Sequence, residues 1–283
     1  MVELTGTKSP SETYQPVIAE EPHMSQSTDP IAVFDSGIGG ISVLRHLLTL
    51  LPHENYIYLG DSANAPYGEK STRQVRELTF ARVEELLGMG AKAVVIACNT
   101  ATSAAAADLR SAHAGTVIIG IEPALKPAAA GKPGATVLVM ATPMTLREEK
   151  FRLLREKWSG GADIIDLPCY GLAEMIEQGI TGGPQLEHYL EDLFRSVPKE
   201  KVSSVVLGCT HYPHIQKTIA SFFGPDTQIF DGGQGTARET CRRLRELGLL
   251  NPSSGPGRVE IINTAGRDMA DLCYKLLGED NNA

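Results

Sequence analysis

Short apolar runs recur along the chain from Ile31 onward, and they restrict the fold more than any other feature. They fall at 31–34, 56–59, 93–97, 117–121, 136–140, 164–167, 204–207, 228–230 and 259–262. Most are rich in β-branched residues and apolar at successive rather than alternate positions, so both faces of each strand must be covered. Stretches with helical spacing lie between most of them, at 40–50, 71–89, 144–158, 184–196 and 236–247. Strands separated by helices form βαβ units and a parallel sheet, so the sequence predicts an α/β fold. The Pro/Gly-rich stretch 122–134 interrupts the series, which favours two lobes, each a mostly parallel sheet flanked by helices, facing each other across a cleft.

An internal echo supports two lobes. Val94-Val95-Ile96-Ala97-Cys98-Asn99-Thr100 resembles Val205-Val206-Leu207-Gly208-Cys209-Thr210-His211. Each is an apolar strand, a small residue, a Cys, then polar residues able to cap a helix. The two cysteines are 111 residues apart, about one lobe. In open parallel sheets ligands sit beyond the carboxyl ends of the strands. A Cys there meets backbone N–H groups and the positive end of a helix, both of which favour thiolate. One Cys after an apolar strand is most often a buried small residue; two in matched polar contexts argue for a shared cleft. Cys241 and Cys273 sit in helical stretches and Cys169 has no polar motif behind it, so these three read as structural.

Composition removes several classes. The 283 residues carry 26 Lys+Arg and 34 Asp+Glu, a net charge of −8, which argues against a nucleic-acid surface. No window of about 18 apolar residues suggests a membrane span. Five unpaired-looking cysteines suit a reducing cytoplasm rather than a disulfide framework. Residues 1–29 hold Lys8 against Glu3, Glu12, Glu20, Glu21 and Asp29, half of the net charge, without apolar periodicity. They read as a disordered or loosely packed extension and lack the pattern of a signal peptide.

Other polar motifs follow strand ends. Phe34-Asp35-Ser36-Gly37-Ile38-Gly39-Gly40 is a Gly-rich turn whose backbone donors could approach an anion, although it lacks nucleotide-binding spacing. Asp35 could orient an ammonium group, tune a thiol, or cap the helix. Asp61-Ser62-Ala63-Asn64-Ala65-Pro66-Tyr67-Gly68 marks a loop at the same edge, with Tyr67 either lining the cleft or packing the loop. Cys209-Thr210-His211-Tyr212-Pro213-His214 invites a zinc reading, but no further ligand cluster is evident, and a His two residues from a Cys can instead steer its proton.

Taken together, the DSGIGG, PYG, CNT and GCTH motifs resemble glutamate racemase, in the cofactor-independent Asp/Glu racemase superfamily, over residues 30–275. The resemblance implies racemisation of L- and D-glutamate without cofactor or metal, with Cys98 and Cys209 flanking the α-carbon. It implies that Asp35 assists Cys98, that His211 assists Cys209, and that Glu177 is the acidic residue near the second cysteine. It also implies substrate contacts from Asp35, Ser36, Pro66, Tyr67, Gly68, Asn99, Thr100, Thr142, Thr210 and His211. Further implications are lobes at 30–123 with 232–283 and at 124–231, a homodimer in the cytoplasm supplying D-glutamate for peptidoglycan, and a peptidoglycan-precursor activator. Neither nucleic acid nor membrane is an expected partner. General acid–base groups act best near the working pH, so moderately lowered thiols are expected. The competing readings are a racemase or isomerase for another small acid, a dithiol redox protein, and a two-lobed binding module without catalysis.

Overall fold

Each expected run forms a strand in the computed structural model, which describes residues 25–130 and 134–278. The strands are β1 (Ile31–Asp35), β2 (Tyr56–Gly60), β3 (Ala93–Ile96), β4 (Val117–Gly120), β5 (Ala135–Ala141), β6 (Ala162–Pro168), β7 (Val202–Leu207), β8 (Gln228–Asp231) and β9 (Val259–Asn263). They form two wholly parallel sheets, ordered β4-β3-β1-β2-β9 and β6-β5-β7-β8. Mapping β5–β8 onto β1–β4 turns the second order into that of the first, read from the other edge. The echo between the cysteine segments therefore extends to topology, with β9 added to one sheet. In each sheet the strand order reverses beside its first strand, between β1 and β3 and between β5 and β7. Cys98 follows β3 and Cys209 follows β7, so both thiols stand at the switch points where such sheets open a crevice.

Helices cover both faces. The first sheet carries α1 (Ile41–Leu50), α2 (Thr72–Gly88) and α3 (Asn99–Ala112). The second carries α4 (Leu125–Ala129), α5 (Pro143–Arg147), α6 (Glu149–Trp158), α7 (Leu172–Glu177), α8 (Pro184–Leu193) and α9 (Gln216–Ala220). The chain then returns to the first sheet with α10 (Gly233–Glu246) and α11 (Arg267–Gly278). Ile31 and Val33 pack with Leu44 and Leu47 of α1 and Leu244 of α10. Ala32 and Phe34 point the other way, to Val83 and Leu86 of α2 and Leu109 of α3. Alternation along β5 does the same: Leu138 and Met140 meet Leu186 and Leu190 of α8, while Val137 and Val139 meet Phe151 of α6. The non-alternating apolar runs thus follow from two-sided burial.

One expected helix is corrected. The stretch 144–158 is two helices, because Glu148 is extended (φ −71°, ψ 141°). Glu148 N–H closes α5 on Met144 O, its carbonyl opens α6 to Phe151 N, and its carboxylate accepts from Thr72 Oγ1 at 2.8 Å. Most of the expected N-terminal extension, residues 1–24, lies outside the described residues. Its last residues are tied to the body: Thr28 O accepts from Asn55 Nδ2, and Ser27 O from Lys92 Nζ. Lys92 is fully buried and also paired with Glu54 at the amino end of the first sheet.

The chain crosses between the sheets after β4 and again after β8. The crossings touch: a Cβ on Gly232 would lie 2.5 Å from Glu122 O. No helix among the described residues is long and apolar enough to cross a membrane.

Candidate active site

Cys98 ends its strand and caps α3, its Sγ accepting from Ala101 N at 3.4 Å. The turn after the neighbouring strand β1 supplies Ser36, whose hydroxyl donates to the same sulfur at 3.4 Å. Despite the helix end, burial pushes the Cys98 thiol up to about 12, and the Asp35 charge adds to the rise, while Ser36 and the Ala101 amide only partly offset it. This corrects the expectation of a lowered thiol: desolvation outweighs two weak donors. Cys98 is therefore a thiol at neutral pH.

Cys209 is placed differently. A short 3-10 turn (Tyr212–Ile215), not a full helix, follows it. Its neighbour is His211, with Nδ1 at 3.7 Å from Sγ and Nε2 at 2.7 Å from Glu177 Oε2. Burial alone would lower His211, but hydrogen bonds to and the charges of Cys209 and Glu177 hold it well above the usual histidine range. Burial would raise Glu177, but His211, Ser62 and the Ile38 amide hold it low. The pair is therefore carboxylate and imidazolium at neutral pH.

Both sulfurs line one cavity of about 230 Å3. Among the sequence-derived candidates, Ser36, Pro66, Tyr67, Gly68, Asn99, Thr100, Thr142, Glu177 and His211 line it too. Tyr67 both lines the cavity and packs its loop, its hydroxyl donating to buried Asp61 at 2.7 Å. Thr142 caps α5 and shares a triangle of hydroxyls with Thr100 and Thr145, at 2.9–3.2 Å. Asn99 Oδ1 is buried and, among the described residues, has no hydrogen-bond partner.

Asp35 and Thr210 are not among the cavity-lining residues. Asp35 is fully buried and does not cap α1; its Oδ1 accepts from Gly37 N at 3.0 Å and its Oδ2 from Thr210 Oγ1 at 2.9 Å. Burial raises this carboxyl to about 6. It is Ser36, rather than Asp35, that hydrogen-bonds Cys98. Asp35 instead joins the two lobes beneath the site.

The Gly-rich turn does receive an anion, but the protein supplies it: Ile38 N donates to Glu177 Oε2 at 3.0 Å. Gly37 permits this approach, since a Cβ there would collide with the Glu177 carboxylate, and other glycines allow further close contacts. A Cβ on Gly39 would lie 2.5 Å from His211 Nδ1, and one on Gly68 would lie 2.8 Å from Thr142 Cβ. With Gly37 N and Ile38 N engaged by side chains, the turn has little left for a phosphate. Among the described residues no group of three His, Cys, Asp or Glu could hold a metal ion.

Sequence reasoning missed Ser62, Cys169, Glu174 and Gln178, which also line the cavity. Glu174 and Gln178 flank Glu177 at helical spacing, a signal that was available. Cys169 is buried, which pushes its thiol up. Its place at the end of β6 was visible, but its direction was not.

The fold and site define a two-lobed parallel α/β protein whose cleft is lined by Cys98 from one lobe and by Cys209 and Cys169 from the other. Comparison with known proteins narrows this class. Residues 39–240 match the family model for Asp/Glu/Hydantoin racemase. The glutamate racemase of Clostridium botulinum (strain Alaska E43 / Type E3) is 49% identical over 255 residues, covering 90% of this chain and 99% of the relative. The crystal structure of glutamate racemase from Francisella tularensis in complex with D-glutamate superposes with a TM-score of 0.77 at 27% identity, covering 89% of this chain and 94% of that one. An Escherichia coli glutamate racemase structure with L-glutamate and the activator UDP-MurNAc-Ala gives 0.77 at 29% identity, covering 88% and 96%. The chain belongs to the Asp/Glu/hydantoin racemase family, and the resemblance read from its motifs stands.

Proposed function

We propose that this protein interconverts L- and D-glutamate by a two-base reaction with Cys98 and Cys209. The observation that carries the reading is the pair of sulfurs, delivered to one cavity from the switch points of two opposing sheets. One sulfur, as thiolate, takes the α-hydrogen as a proton. The C–H electron pair stays on the substrate as a dianion, and the other thiol returns a proton to the opposite face. The thiolate has then changed sides, and the reverse reaction starts from there.

The surroundings suit each step. An α-proton beside a carboxylate is weakly acidic, so a water-poor cavity and preorganised donors are needed. Ser36, the Thr100 and Thr142 hydroxyls and nearby backbone amides supply neutral donors. The orphaned Asn99 Oδ1 suits the substrate ammonium. His211, held charged by Glu177, stabilises a thiolate at Cys209. Asp35 acts on Cys98 through its charge, which makes that thiolate, once formed, a stronger base. The substrate ammonium opposes this and favours ionisation on binding.

The lobes are proposed at 30–123 with 232–283 and at 124–231, in keeping with the two sheets. Touching crossings at Glu122 and Gly232 would let them close on substrate. Supply of D-glutamate for peptidoglycan, a cytoplasmic location and a homodimer are proposed with the activity, on the family resemblance. An activator of the UDP-MurNAc-Ala class is proposed from the E. coli relative; its test is a rise in kcat/KM on adding that compound.

The activity is tested by incubating the purified chain with L-glutamate in deuterated water without cofactor. The expected result is α-deuterium incorporation with loss of optical activity. No incorporation would end the reading, and faster exchange with aspartate would reassign the substrate.

A further inference from the structure

Glu177 reaches across the cleft. It stands on α7 with the second sheet, yet two of its three hydrogen-bond donors come from loops of the first. Ile38 N and His211 Nε2 reach Oε2 at 3.0 and 2.7 Å, and the Ser62 hydroxyl donates to Oε1. Behind Ser62 stands Asn263, the last residue of β9, with Nδ2 at 2.9 Å from Ser62 Oγ.

The direction of every bond in this chain is fixed by its far end. Asn263 Oδ1 accepts from Ala265 N at 2.9 Å, so the amide must present its nitrogen to Ser62. An amide nitrogen only donates, so the Ser62 oxygen accepts, and its single proton is free to go to Glu177. Glu177 then holds both oxygens in place with His211 on one of them, and His211 presents Nδ1 to Cys209. Without Ser62 the carboxylate would lose its only donor on Oε1 among the described residues and could turn about its stem.

We propose that Ser62 and Asn263 are positioning residues for Cys209, acting through Glu177 and His211 only when the lobes are closed. The relay rests on the two-thiol reading above. Opening the cleft removes Ser62 and Ile38 from Glu177 together, so the partner of Cys209 is organised by closure. Among the described residues the donors to Cys98 are Ser36 and the Ala101 amide, neither of which bonds to Glu177.

The test compares the parent protein with Ser62→Ala and Ser62→Thr, using α-deuterated L- and D-glutamate. Loss of a hydrogen bond to a carboxylate should lower kcat/KM about tenfold in Ser62→Ala. The isotope effects should also separate. When transfer at Cys209 slows, the deuterium effect on kcat/KM grows for the enantiomer that Cys209 deprotonates. It shrinks for the enantiomer that Cys98 deprotonates, because reprotonation then limits. Ser62→Thr, which keeps the hydroxyl, should restore both. Asn263→Leu should repeat the pattern more weakly. A parent with normal exchange and a Ser62→Ala variant whose two isotope effects are unchanged would overturn the relay alone. A parent that exchanges no α-hydrogen of glutamate would overturn the two-thiol reading and the relay with it.

Discussion

Replacing Gly39 by alanine puts the geometry of the second lobe under direct strain. The added Cβ would stand 2.5 Å from His211 Nδ1, 2.7 Å from Thr210 Oγ1 and 2.8 Å from His211 Cε1. Ordinary contact begins at 3.4 Å, so the imidazole must retreat by about 0.9 Å. It cannot do so freely, since it is buried and bound to Glu177 at 2.7 Å. Overpacking of this kind costs about 1–3 kcal/mol, a fall in melting temperature of about 2–4 °C per kcal/mol for a chain near this size. The catalytic loss should be larger, because a displacement near 1 Å costs about 100-fold. Racemisation followed by circular dichroism should show kcat/KM reduced by about that factor. The reduction must be equal in both directions, since enantiomers are equally populated at equilibrium. Gly88→Ala is the control: nothing lies within 4 Å of its Cβ, so activity should not change. A Gly39→Ala protein within about threefold of the parent would refute the claim that His211 must sit against this turn.

Three further outcomes follow from other parts of the molecule. Cys98→Ser and Cys209→Ser should each reduce racemisation by about 10²–10⁴-fold, yet each should still eliminate a leaving group from a β-substituted glutamate analogue in one enantiomer; loss for both enantiomers in both variants would contradict one thiol per face. Asp35 titrates near 6 in the folded protein against 3.8 ordinarily, so the native state binds the proton more tightly and wild-type stability falls as pH rises through that interval. Asp35→Asn should gain on the wild type by about 3 kcal/mol across it, read by melting at pH 4 and pH 7, and a difference that does not change with pH would reject the assignment. Lys92→Met strips the buried Glu54 of its ion-pair partner, so stability should drop by about 3–5 kcal/mol while kcat of the folded protein is retained, because the pair lies at the end of the sheet away from the cleft; a denaturant titration measures the first and an assay in the native range the second.

The strands were legible because two-sided burial leaves a mark on consecutive residues. The short helices were not, because α4, α7 and α9 span only 5 or 6 residues, too few to show a period. The thiols were legible from their place after apolar strands, and the echo between their segments anticipated the shared sheet order. In sequence, the glycines of the first turn suggest a cradle for a ligand's anion. Only the folded chain reveals that Gly37 and Gly39 make room for Glu177 and His211, residues far away in sequence. Nor could sequence give the state of Cys98, because burial is a property of what packs around the sulfur. Ser62 and Asn263 are about 200 residues apart, and no local pattern joins them.

The two halves of the site share a topology but not an environment. Cys98 has a helix end, a serine hydroxyl and a nearby buried carboxylate; Cys209 has an imidazolium and a carboxylate behind it. A racemase does not require its halves to match. Because the equilibrium constant is unity, kcat/KM must be equal in the two directions whatever the individual basicities. Unequal thiols can still give unequal kcat and KM, since they set which protonation form of the free enzyme prevails. The raised Cys98 favours a resting form that carries its proton on Cys98. On the two-thiol reading, the base for the first proton transfer is then sought at Cys209, which faces His211 Nδ1 at 3.7 Å. Substrate of the enantiomer facing Cys209 would then enter a ready site, while its mirror image would first require the proton to change sides. The enantiomer with the lower KM should therefore be the one whose α-hydrogen Cys209 removes, as read from the elimination activity of Cys98→Ser. If that variant eliminates from the other enantiomer, the resting proton is on the wrong sulfur and this ordering of the two thiols is false.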